Sequence, residues 1–159
     1  MDRIGLVTLQ AEVMDDVRVA CKAAVLAAQR LSIGDDTGLE SCAYQLVRVF
    51  NIIEQMGLRI AKAFENHIDD DGGWHAELVH RLSIEVPGVR PALYLPDILP
   101  ALRDLRGFRH VITHAYDLVL EADRLSIVAR HAGEAARLLP GMVGRFFETV
   151  AADLAEGTQ

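Results

Sequence analysis

The sequence is short of most features that would narrow its class at a glance. It has two cysteines in 159 residues, Cys21 and Cys42, too few for the disulfide framework of a small secreted domain. Both lie inside apolar helical patterns, so buried free thiols in a reducing compartment are expected, with a disulfide or a reactive thiol as the alternative. Aromatic residues make up only 6% of the chain, a balance that argues against a β-sandwich. No apolar run approaches the ~18 residues of a membrane span. The N-terminal "MDRIGLVTLQAEVMDD" breaks its apolar residues with acids and lacks a signal-peptide layout, so a cytoplasmic location is expected. Excess positive charge is also missing: 16 basic against 23 acidic residues leave a net charge of −7. A general electrostatic grip on nucleic acid is thereby excluded, and any anionic ligand has to meet a local patch.

What is present is apolar and helical in rhythm. The apolar fraction is 51%, rich in Ala, Leu and Val, and the length fits one domain spanning 1–159 with a core of its own. Mean hydropathy is slightly positive, a hint of apolar surface covered by another subunit. Spacings of three and four predict a first helix over 3–30, with Ile4, Val7, Ala11, Met14, Val17, Ala20, Ala24 and Ala27 on its buried face. After a loop at 32–38, a second helix is expected over 39–66, striped by Leu46, Val49, Phe50, Ile53, Met56, Ile60 and Phe64. A short helix follows over 74–83. Residues 85–96 hold three prolines and a glycine and read as a loop. A helix from Asp97 to about Thr113 tolerates Pro100 in its first turn. Asp123 is a candidate N-cap for a last helix over 124–155, which either kinks at Pro140 or splits there. The fold class is all-α, a bundle of about five helices.

The helix before residue 117 is the one locally cationic element. Residues 101–116 carry three Arg and one Asp, a charge of +2, so the remaining 13 basic and 22 acidic residues sum to −9. Such a patch draws a phosphate to an otherwise repelling surface. At ~100° per residue, Ala101, Leu105, Phe108, Ile112 and Ala115 form a core stripe. Arg103, Arg106, His110 and His114 gather opposite, and Arg109 and Tyr116 lie at the border. Arg109 and His114 point ~140° apart on a straight helix. They reach one small group only if the helix breaks near Thr113 or a second copy of the chain completes the site.

Histidine beside arginine suits phosphodiester chemistry. An imidazole exchanges protons near neutral pH, and a guanidinium grips two phosphate oxygens as negative charge builds. RNA supplies its own nucleophile, the 2′-hydroxyl, so neither metal nor cofactor is expected, and no carboxylate cluster suits magnesium. By spacing alone the pattern is also that of a solvated basic helix end. His110 and His114 could hold zinc but lack a third ligand.

The segment 109–116, Arg-His-Val-Ile-Thr-His-Ala-Tyr, matches an Rx4HxY pattern and resembles the HepT-like toxins of the HEPN group of helical ribonucleases. "CAYQLVRVFNIIEQMGLRIAKAFEN" (42–66), "WHAELVHRL" (74–82), "VPGVRPAL" (86–93) and "LRGFRHVITHAYD" (105–117) are similar to that family in order and spacing. The resemblance covers roughly 38–120. It implies a homodimeric helical bundle whose paired motifs share one cleft, and metal-independent RNA cleavage leaving a 2′,3′-cyclic phosphate. Arg109 would stabilise the phosphate, His114 would act as acid or base, and His110, in a place usually polar, would assist. It further implies a nucleotidyltransferase antitoxin of the MNT type as partner, transferring AMP to Tyr116 and so crowding Arg109 with a bulky anion.

Several residues keep two readings. Arg106 is either a second phosphate contact or a solvated charge. Glu54 either orients Arg109 or His114, or is a surface acid or structural ion pair. Trp74 and His75 suit packing, and Phe146 and Phe147 suit core or dimer contact. His67, His80 and His131 read as surface residues. Gly107 inside a helix is a mild oddity. Besides the ribonuclease, a non-catalytic module binding nucleotide or a nucleotidyltransferase, and a purely structural helical protein, fit the same residues.

Overall fold

A computed structural model describes residues 1–65 and 74–156, for 74–76 the backbone alone. Among the described residues there are five α-helices: α1 (Arg3–Leu31), α2 (Asp36–Phe64), α3 (Trp74–Leu82), α4 (Leu99–His114) and α5 (Ala122–Glu156). A 3-10 turn, Pro96–Ile98, leads into α4, and Pro100 sits in the first turn as expected.

Helix starts follow side-chain caps. The Asp2 carboxylate accepts the Gly5 N–H at 2.7 Å, and that of Asp35 accepts the Gly38 N–H at 2.7 Å. Each supplies a partner that the first helical turn lacks. The Asp35 cap starts α2 three residues earlier than expected. Gly38 permits this, because a Cβ there would stand 2.8 Å from the Arg30 carbonyl oxygen. The tight turn folds α2 back along α1, and these two helices share the broadest contact in the bundle. Helices α2 and α5 each touch α1, α4 and each other, while α3 packs on α2.

The α2 stripe is buried as expected except at Phe64, which is half-buried. Phe146 and Phe147 are core residues, edge-on to each other at 5.3 Å. The buried face of α1 differs from the expected one in its first half. Leu6, Leu9 and Val13 are buried, whereas Ile4 (77%), Val7 (58%) and Met14 (39%) are exposed and Ala11 is exposed too. This half of α1 is apolar on two faces, and periodicity alone cannot choose between them.

Helix α5 begins at Ala122, so Asp123 lies in its first turn rather than capping it. There its charge still suits the positive end of the helix. The helix continues through Pro140 as a single element of 35 residues. Proline has no N–H, so the Ala136 carbonyl loses its helical donor. The Cys21 thiol stands 3.3 Å from that oxygen and serves it from α1. Both cysteines are free. Burial pushes the Cys42 thiol up to about 11 and raises that of Cys21.

The proline-rich loop is ordered around one arginine. Val86 and Arg90 exchange backbone hydrogen bonds of 2.9 and 3.0 Å, and Gly88 takes the positive φ (+75°) that the turn between them requires. The turn drives Arg90 inward. Its Nε and Nη2 close on Glu65 at 2.8 and 2.6 Å, and Nη1 and Nη2 cap the carbonyls of Ile84 (2.8 Å) and Arg81 (3.0 Å). With Nη1 also 3.3 Å from the Pro91 carbonyl, this side chain has 0% exposure. The loop is thereby tied to the ends of α2 and α3.

Candidate active site on the motif helix

Helix α4 turns Ala101, Leu102 and Leu105 inward and half-buries Phe108 and Ile112. It ends at His114, with Ala115 in an extended conformation. Ala115 is therefore exposed rather than in the core stripe, and Tyr116 is fully exposed beyond the helix end. The break expected near Thr113 falls just after the motif histidine, so Arg109 and His114 both remain on regular helix. Arg103, Arg106, His110 and His114 form the solvent face as expected.

Arg109 leans back across α2. Its Nη1 donates to both carboxylate oxygens of Glu54, at 3.0 and 2.9 Å. Its guanidinium carbon lies 5.6 Å from the centre of the Phe50 ring, a cation–π distance. Glu54 is buried, so the surface-acid reading is excluded, and the pair leaves Arg109 28% exposed. Among the described residues, Nε and Nη2 of Arg109 make no hydrogen bond. The edge that Arg90 closes on Glu65 is thus open at Arg109, and that edge is the fork which suits two phosphate oxygens. Beneath the pair, Tyr94 is fully buried and donates to the Ile53 carbonyl at 3.2 Å. Burial and the neighbouring Glu54 carboxylate push its phenol well above its ordinary value, so it stays protonated.

His114 is held from its own helix. Its Nδ1 lies 2.9 Å from the His110 carbonyl and 2.9 Å from Thr113 Oγ1. A carbonyl only accepts, so the bond needs the proton on Nδ1. The Thr113 hydroxyl donates to the Arg109 carbonyl at 2.9 Å and can accept from the same Nδ1–H. Nε2 is then the nitrogen left to trade a proton with a ligand. The His110 ring lies 4.3 Å from that of His114. The structure therefore forms two sets, Arg109 with Glu54 and His114 with His110 and Thr113. They meet through the helix backbone alone, where Thr113 reaches the Arg109 carbonyl; among the described residues no hydrogen bond joins the Arg109 guanidinium to either imidazole.

A cleft of about 470 Å³ opens beside this helix, floored by Phe108, Val111, Leu125 and Val128. Neither Arg109, His110 nor His114 lines it. His131, read as a surface residue from sequence, is half-buried instead and faces Asp104 at 2.8 Å. Among the described residues no group of three His, Cys, Asp or Glu could hold a metal, and no helix is long and apolar enough to cross a membrane.

The family model described as HepT-like protein matches residues 41–150, which span α2 to α5 and hold every residue of both sets. The chain belongs to the HepT-like family. Curated proteins and solved structures give no match. For this HepT-like chain, sequence reading missed Thr113, Tyr94 and the Arg90–Glu65 clamp. Thr113 sits inside the quoted motif and could have been found from its position before a helix-ending histidine. Nothing local marks Arg90, whose partner is 25 residues away. His67 and the side chains of Trp74 and His75 lie outside the described residues.

Proposed function

We propose that the chain is a metal-independent endoribonuclease and the toxin half of a toxin–antitoxin pair, acting as a homodimer in the cytoplasm. The supporting observation is the half-open Arg109: anchored by Glu54 on Nη1, it keeps the Nε–Nη2 edge for a phosphate. His114, fixed at Nδ1, offers Nε2 to a 2′-hydroxyl. The 2′-oxygen gives up its proton and attacks phosphorus, the bond to the 5′-oxygen breaks, and that oxygen takes a proton from an acid. The products are a 2′,3′-cyclic phosphate and a 5′-hydroxyl. Arg109 stabilises the charge on the phosphorane between them.

One copy supplies base and cation on faces ~140° apart. Two copies meeting across α4 bring the Arg109 of one chain near the His114 of the other and provide both a base and an acid. Arg106 and His110 support the cleft as phosphate and proton contacts. Tyr116, fully exposed just past the helix, is the acceptor for AMP from an MNT-type nucleotidyltransferase partner. The adduct would set an anion against the open arginine edge and silence it.

The test is expression of the chain alone, as wild type and as His114→Ala. Wild type is expected to cut RNA, with a loss of about 10²–10⁴-fold in the variant. A folded, unmodified wild type that binds RNA as His114→Ala does, with no cleavage by either, overturns the enzyme in favour of a binding module. Co-expression with the nucleotidyltransferase is expected to add one or more AMP masses, absent in Tyr116→Phe.

A further inference from the structure

A second, smaller cleft of about 180 Å³ lies where the end of α3 meets α4. Its polar residues are His80, Ser83, Arg103 and Arg106, over an apolar floor that includes Leu99 and Leu102. The arginines project from a helix that continues to the reacting histidine. Arg103, Arg106, His110 and His114 fall within an arc of roughly 80° along about 16 Å of helix axis, and all four are exposed. Asp104, the only acid within α4, faces His131 on the other side at 2.8 Å.

The α3 wall of the cleft is fixed in place. Between His80 and Ser83, the Arg81 carbonyl accepts from buried Arg90 at 3.0 Å. The Leu82 carbonyl accepts the N–H groups of Leu93 and Tyr94 at 2.8 and 3.1 Å. His80 is therefore presented by a pinned turn opposite two arginines, which is a preorganised setting for one anionic group. Among the described residues no Phe, Tyr or Trp lines the cleft, so the broad rings on which successive bases stack are missing from it.

We infer that this cleft holds a backbone phosphate of single-stranded RNA, upstream or downstream of the bond broken at Arg109 and His114, and reads the strand without regard to sequence. The inference rests on the ribonuclease reading above. The strand would lie along the exposed row of α4, with Arg103 and Arg106 as its remote anchor and the motif as its reacting end. Contacts to phosphates position a strand, whereas contacts to base edges would specify it.

The experiment uses the full chain and short single-stranded oligodeoxynucleotides, which lack the 2′-hydroxyl and stay uncut. Affinity is measured against salt for wild type, Arg103→Ala and Arg103→Lys, with ADP as a separate ligand. Arg103→Ala is expected to weaken oligonucleotide binding about ten-fold whatever the sequence, and to flatten the salt slope by about 0.7, the share of one single-strand phosphate. Arg103→Lys should restore the slope, and ADP should bind weakly and indifferently to the substitution. Oligonucleotide binding with an unchanged affinity and slope in Arg103→Ala overturns the subsite and leaves the ribonuclease reading standing. Equal dependence of ADP and oligonucleotide on Arg103 overturns it in favour of a free-nucleotide site. Failure of wild type to bind any oligonucleotide removes both readings together.

Discussion

Two arginine–glutamate pairs in this chain use the same chemistry toward opposite ends. Arg90 spends all three nitrogens on Glu65 and on three carbonyls and is sealed from solvent. Arg109 spends one nitrogen on Glu54 and is left partly exposed. The first pair is saturated, and removing either partner strands a buried charge or several carbonyls. The second is anchored but unfinished, and a ligand can complete it. Saturation rather than burial of the carboxylate separates the closed pair from the open one, since Glu54 and Glu65 are both largely covered.

Exchanging the effects of the two pairs would break this contrast. Arg90→Ala should cost about 3–5 kcal/mol, the range for breaking a buried ion pair, read as a fall in Tm of about ten degrees. Arg109→Ala should cost less, about 1–2 kcal/mol, because its pair is partly solvated, yet should lower RNA cleavage by about 10²–10³-fold. Equal loss of stability in the two variants would show that Arg109 is a second clamp. Glu54→Gln sharpens the point: the anchor weakens while the guanidinium remains, and a roughly ten-fold loss in cleavage with little change in Tm is expected.

Acid provides the next test. Burial by itself would raise the Glu65 carboxyl, but hydrogen bonds and charges from Arg90 and Arg81 outweigh it and hold the group below its ordinary value. A depressed carboxylate contributes stability that is fully present above the unfolded-state value of about 4.3 and is lost as pH falls through the folded-state value. Thermal unfolding followed from pH 6 downward should show this decline, and Glu65→Gln should flatten it. The smallest effect belongs to Gly107, whose added Cβ would meet nothing within 4 Å. Gly107→Ala should stabilise the motif helix by about 0.5–1 kcal/mol, measured as a small rise in Tm.

The helices were legible because each carries a strong period or a clear stop. The α2 stripe, the proline-rich loop and the cationic face of α4 could be read from spacing, and the motif from its resemblance to known proteins. The first half of α1 was not, because Ile4, Val7 and Met14 repeat as regularly as Leu6, Leu9 and Val13 do. The start of α5 was misplaced by two residues because an aspartate suits both a cap and a first turn. At the site, Arg109, His114 and a role for Glu54 were visible as candidates. The partition into two sets was not, since which way Arg109 leans depends on α2, 55 residues away in sequence.

Pro140 carries a consequence beyond its own helix. The carbonyl it orphans on Ala136 is served by the Cys21 thiol, so sulfur sits at the seam where α1 meets α5. A reagent that caps this half-buried thiol would take away the proton that the carbonyl uses and leave the seam looser. Fully buried Cys42 should then react only as the bundle opens, so its alkylation rate, with and without a prior cap on Cys21, is a clock readable by mass without any added label.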